Sequence, residues 1–121
     1  MLILPIKKKW FDMILSGEKK EEYREIKPYY ESRLLADFGY FFTNGKLQTG
    51  YRFDACLQKN VEAEHETEIM FRNGYSKNSP SFIAKCTLSV GTGKEEWGAE
   101  KYKKYFVLTI HEILKRSGEN E

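Results

Sequence analysis

The chain has 121 residues, 40% of them hydrophobic and 15% aromatic, and carries a formal net charge of +2. That is enough chain for one core, since single domains commonly hold roughly 100–150 residues, and too much apolar and aromatic content for a disordered segment. A charge so near zero gives no global field for nucleic acid, so any anion contact must come from local clustering; no stretch approaches the roughly 18 apolar residues of a membrane span.

The opening "MLILPIKKKW" puts its charges after a short apolar run, the reverse of a secretory signal, so a cytoplasmic protein is expected. Leu2 to Ile6 suit a first strand, ended by Pro5. From about Lys7, Ile6, Trp10, Met13 and Ile14 fall at helical spacing, and Gly17 supplies the stop. Lys7, Lys8 and Lys9 would occupy the first turn, where the helix dipole disfavours cations, and read as a solvated face before an anion contact. Lys19 to Ile26 then read as a strand, because Pro28 opens a second helical pattern through Tyr29, Tyr30, Arg33, Leu34 and Phe38. The two tyrosines read as helix packing before a stacking platform.

Asn44–Gly45 is a hairpin signal, and Glu62, Glu64, Glu66 and Glu68 alternate as a solvated face that would repel phosphate. In the last third, "EIMFRNGYS" leads to a strand with Phe82, Ala84, Cys86, Leu88 and Val90 on one face. "GKEEWGAEKYKKY" has room for a short helix, and "YFVLTIHEIL" is the closing strand. This order predicts an α+β domain built on a small, mostly antiparallel β-barrel with short flanking helices. It is expected to be one domain over 1–116, with 117–121 as a frayed tail.

Cys56 and Cys86 are too few and too far apart for a C-x-x-C motif and are expected to be small buried residues. "HETE" at His65 lacks the second histidine of H-E-x-x-H, so neither a metal nor a cofactor is expected. Gly91, Gly93 and Gly98 lack the spacing of a phosphate-cradling loop. His111 reads as a satisfied structural histidine.

The chemistry-bearing stretch is "GEKKEEYREIK", Gly17 to Lys27, in which eight of eleven residues are charged. On a strand Lys20, Glu22 and Arg24 share one face and Glu21, Tyr23 and Glu25 the other. Glu22 and Arg24 can pair, leaving Arg24 as a donor fork for a phosphate or a base edge. Lys19, if partly desolvated, could serve as base or nucleophile. The plain alternative is an exposed edge strand whose charges block aggregation.

"LPIKKKWFDMILSGEKKEEYREIKPYYESRL" resembles the opening of an ASCH domain (ASC-1 homology), whose signature is an apolar strand, a helix with an aromatic, then G-x-K-x-x-E-x-R, here Gly17, Lys19, Glu22 and Arg24. The later "FRNGY" and "WG" before a closing strand are similar to bacterial and phage members. The opening match covers about a quarter of the chain, and residues 39–68 look like a family-specific insertion. The resemblance implies a PUA-like barrel with a cleft near the charged strand, proposed in this family to bind RNA. Some members are similar to amidohydrolases that deacetylate N4-acetylcytidine, and ribonuclease activity is ascribed to another. Lys19 matches the lysine of the amidohydrolase pattern, whereas Glu22 stands where that pattern has a threonine. Arg72 and Tyr75, flanking Asn73–Gly74, would extend the cleft, Tyr75 as a stacking ring; the alternative for "RNG" is a plain turn. The leading expectation is an RNA-binding module, with RNA or a nucleoside-like ligand as partner and no membrane. The rivals are a small hydrolase using Lys19 and Glu22, with Arg24 holding an anion or carbonyl oxygen, and a protein-interaction domain.

Overall fold

The structure, a computed structural model, describes residues 1–38, 42–43, 46–47 and 66–117. β1 (Leu2–Pro5) leads into α1 (Lys8–Leu15), then β2 (Glu21–Glu25) and α2 (Pro28–Asp37). A short pair, β3 (Phe42–Thr43) and β4 (Lys46–Leu47), flanks residues 44–45, where the hairpin is expected. β5 (Thr67–Arg72), β6 (Ser81–Thr92) and β7 (Lys104–Arg116) complete the chain, with a 3-10 turn at Glu95–Trp97 before β7.

Five strands form one sheet in the order β1-β5-β6-β7-β2, curled into a half-barrel. β1 pairs with β5 in parallel and the other pairings are antiparallel. The mixed α+β class holds. The two sheet edges, β1 and β2, are not hydrogen-bonded to each other along their backbones.

Strand parity explains the core. Phe82, Ala84, Cys86, Leu88 and Val90 are all buried, as their alternation predicts, and meet Phe11 and Ile14 of α1 and Leu34 and Leu35 of α2. α1 ends where expected: Gly17 takes φ +85°, and the Lys19 amide donates to the Met13 carbonyl at 2.9 Å. Lys19 therefore leaves the helix before the strand begins, so β2 is shorter than the sequence predicts, although the Lys20 carbonyl still accepts from the Ile110 amide. Neither helix has a side-chain cap at its start, Lys7 and Lys27 being the cap residues.

β2 is covered on both faces. Glu22 lies opposite Leu108 and Arg24 opposite Phe106, on the side of the main core. Tyr23, on the other side, joins Val107, Tyr105 and Ala99 in a second small core. Residues 94–100 form its cover. The Lys94 amide donates to the Tyr23 hydroxyl, which donates to Glu21, and the Glu100 amide donates to the Tyr105 hydroxyl. The short helix expected here is limited to one 3-10 turn because Gly98, at φ +101°, ends it after three residues.

Candidate functional site: a buried ionic triad beneath an aromatic cleft

Three charges of this stretch, on Lys19, Glu22 and Arg24, are used internally, whereas Lys20, Glu25 and Lys27 are exposed. Lys19 is 1% exposed; its Nζ donates to the Trp97 carbonyl at 2.5 Å and lies 3.1 Å from Glu22 Oε1. The rings of Trp10 and Tyr23 flank the same ammonium at 4.6 and 5.0 Å. Glu22 Oε2 accepts from Arg24, so one buried carboxylate bridges two cations. Burial lowers the Lys19 pKa below its usual 10.5, and the adjacent Glu22 carboxylate opposes that fall.

Arg24 is less free than a donor fork for a ligand would be. One terminal nitrogen donates to Glu22 and to the Tyr23 carbonyl at 3.0 Å, and the other donates to the Pro5 carbonyl at 2.7 Å. Three of its five N–H groups are thus used within the protein. The Pro5 contact joins the two edges of the half-barrel through a side chain.

Above this triad lies a cleft of about 540 Å³. Its walls come from the β1–α1 turn (Ile6, Lys7, Trp10), from Glu22 to Glu25, from Lys27 and Tyr30 before and on α2, and from the stretch holding Trp97, Gly98, Glu100, Lys103 and Tyr105. Lys19 is not among the lining residues: the Trp97 carbonyl and the Trp10 ring lie against its ammonium. The arrangement therefore presents aromatic faces and cations to a ligand, and keeps its perturbed lysine out of reach.

Of the five residues expected at the site, Lys19, Glu22 and Arg24 come together. Arg72 and Tyr75 do not join the cleft. Arg72 lies opposite Pro5 in the β1–β5 pairing, its guanidinium near Met70 Sδ at 3.7 Å. Tyr75 is 90% exposed on the turn after β5. In "RNG", Arg72 ends β5 and Asn73–Gly74 open the connection to β6, closed by the Asn73 amide on the Pro80 carbonyl and tied to the chain just after β1 by the Asn73 side chain, which donates to the Ile6 carbonyl at 3.0 Å.

Tyr30 both packs against the core and lines the cleft, whereas Tyr29 stands outside with Arg33 over its ring at 3.6 Å. Trp10, Trp97 and Lys103 are cleft residues to which the sequence assigns no site role, Trp10 falling at a helical position and Trp97 in the "WG" pair. His111 shares a 2.8 Å hydrogen bond with the buried Thr87. Cys86 is fully buried, its thiol pushed up to about 12 by burial. Glu66 and Glu68 are exposed, while Cys56, Glu62, Glu64 and His65 lie outside the described residues. Among the described residues no group of three or more His, Cys, Asp or Glu side chains is placed to hold a metal ion, and no helix is long and apolar enough to cross a membrane.

No protein-family model, curated protein or solved structure matches the chain.

Proposed function

We propose that this chain is an RNA-binding module of the ASCH type, with a PUA-like barrel, whose cleft takes an unstacked base. The observation that carries the reading is the cleft's composition: Trp10, Tyr30 and Trp97 offer ring surface, and Lys7, Arg24 and Lys27 offer positive charge, around about 540 Å³. That volume is within the roughly 300–1,000 Å³ of small-ligand sites. Single-stranded RNA is read by stacking splayed bases on such rings and Arg planes. The enclosure of Lys19 supports binding over turnover, because a nucleophile or base must reach its substrate.

A second reading, hydrolysis of a modified nucleoside, is favoured by one observation: Lys19 has a lowered pKa and a carboxylate partner 3.1 Å away. It requires the Trp97 backbone to move off Lys19.

The test is titration of labelled single-stranded RNA at several salt concentrations, with the RNA recovered and weighed by mass spectrometry. Binding with a steep salt slope, weakened about 5- to 150-fold by Tyr30→Ala as loss of one stacking contact of about 1–3 kcal/mol requires, with unchanged RNA, is the expected outcome. Cleaved or deacetylated RNA that disappears with Lys19→Met would replace binding by hydrolysis. Salt-independent binding would point to a protein partner.

A further inference from the structure

The cleft is electrically lopsided. Glu22 is occupied by Lys19 and Arg24. On the far wall Lys103 is held by Glu100 at 3.2 Å and by Glu25 at 3.9 Å. Lys7 and Lys27 also line the cleft and are exposed, yet among the described residues neither forms an ion pair; Lys27 Nζ lies 5.4 Å from the Tyr30 ring, which the Arg24 guanidinium also faces at 5.8 Å.

These two lysines belong to the same end of the cleft. Lys7 lies two residues after Pro5 and Lys27 three after Arg24, and the Arg24–Pro5 hydrogen bond holds those chain segments together. Lys103, the third lysine lining the cleft, has its charge satisfied from within the protein. The unpaired ones face solvent beside an aromatic wall, and the carboxylates that line the same cleft, Glu22, Glu25 and Glu100, are engaged by Lys19, Arg24 and Lys103.

Resting on the base-binding reading above, we propose that Lys7 and Lys27 form a phosphate subsite at one end of the cleft, so that the ligand is a nucleotide unit and not a free nucleoside. The phosphate is supplied either by a terminal monophosphate or by an internal phosphodiester of a strand; both present anionic oxygens that a lysine point charge can hold. Arg24, with most of its donors used, contributes its charge from beneath. The ring of Tyr30, next to Lys27, places the base beside the phosphate.

Calorimetric titration at low salt with adenosine, adenosine 5′-monophosphate and the dinucleotide ApA tests this. The phosphorylated ligands should bind about tenfold more tightly than adenosine, a difference worth about 1.4 kcal/mol, and the gap should collapse in Lys7→Gln/Lys27→Gln. A gain with the monophosphate identifies a terminal phosphate, and a gain confined to ApA identifies a phosphodiester. In single-stranded RNA the same double variant should flatten the salt slope by about 1.4, two contacts at about 0.7 each. Equal binding of all three small ligands together with an unchanged RNA slope overturns the subsite alone. Failure of every nucleoside, nucleotide and RNA probe to bind overturns the base-binding reading and the subsite with it. Both lysines are exposed, so a thermal melt of the variant should match that of the parent and separate lost binding from lost fold.

Discussion

Glu22→Gln isolates what the ionic triad contributes. The substitution keeps the shape and one acceptor oxygen but leaves Lys19 and Arg24 facing each other without the carboxylate between them. At 3.1 Å the Lys19–Glu22 attraction is about 5 kcal/mol at an effective dielectric constant of about 20. Part of that returns because the neutral amide has no charge to desolvate, which agrees with the roughly 3–5 kcal/mol found when one partner of a buried pair is removed. A loss of about 3 kcal/mol is expected, read as a lowered urea midpoint and a melting temperature reduced by roughly 10–15 °C. Lys19→Met, an apolar side chain of similar length between Trp10 and Tyr23, should cost about 1 kcal/mol or less, because Glu22 retains Arg24. The double variant should then be more stable than the sum of the single losses by about 2 kcal/mol. The pH dependence has a definite sign. Lys19 titrates below 10.5 in the folded chain, so between that lowered value and 10.5 the unfolded state binds the extra proton, and the Lys19 contribution to stability rises with pH. Glu22→Gln removes the group that opposes the fall and should widen this window downward, while Lys19→Met should abolish it. A loss under 1 kcal/mol with no coupling to Lys19→Met would refute the triad as an ionic unit.

Arg24→Lys should lower the urea midpoint by the equivalent of about 1–2 kcal/mol, since one ammonium cannot reach both Glu22 and the Pro5 carbonyl; an unchanged midpoint would show that the edge contact is idle. Gly98→Ala puts a Cβ 3.0 Å from Trp10 Cζ2 at φ +101°, so a cost of about 1–2 kcal/mol with a shifted tryptophan emission is expected, and a normal melt would contradict the strain. In a Cys56→Ser chain, Cys86 should resist thiol reagents at pH 8 until the protein unfolds, because it is buried and its thiol titrates near 12; rapid labelling of folded protein would contradict its burial.

Local rules reached the elements and the parity of the site. Gly17 and Pro28 mark helix ends by backbone geometry alone, and the alternation from Phe82 to Val90 reports a buried face directly. Glu22 and Arg24 share a face for the same reason. What parity does not carry is where that face ends up. β2 is an edge strand, as the plain alternative supposed, but Glu22 and Arg24 on its inner face pair with each other and with Lys19 beneath a cleft, while Glu25 stays exposed. Lys19 is enclosed by a carbonyl 78 positions away, and Arg24 gives a donor to one 19 positions back. Both are tertiary contacts with backbone, which no side-chain pattern announces. Trp10, Trp97 and Lys103 were hidden for the same reason: separate segments supply the cleft walls, and only the curl of the sheet gathers them.

The parallel pairing of β1 with β5 sets an order of assembly. Leu2 meets Ile69, 67 positions along, whereas Thr92 meets Lys104 only 12 away. Closing the longer loop costs about 1.5 kcal/mol more in chain entropy, so the β6–β7 hairpin is placed to form early and β1 to dock late. During synthesis the apolar "LILP" segment must wait for β5 to be made before it has a strand to join. The cleft, whose wall includes Pro5, Ile6 and Lys7, is then the last region to become whole, and amide protons in β1 should exchange faster than those at the centre of β6.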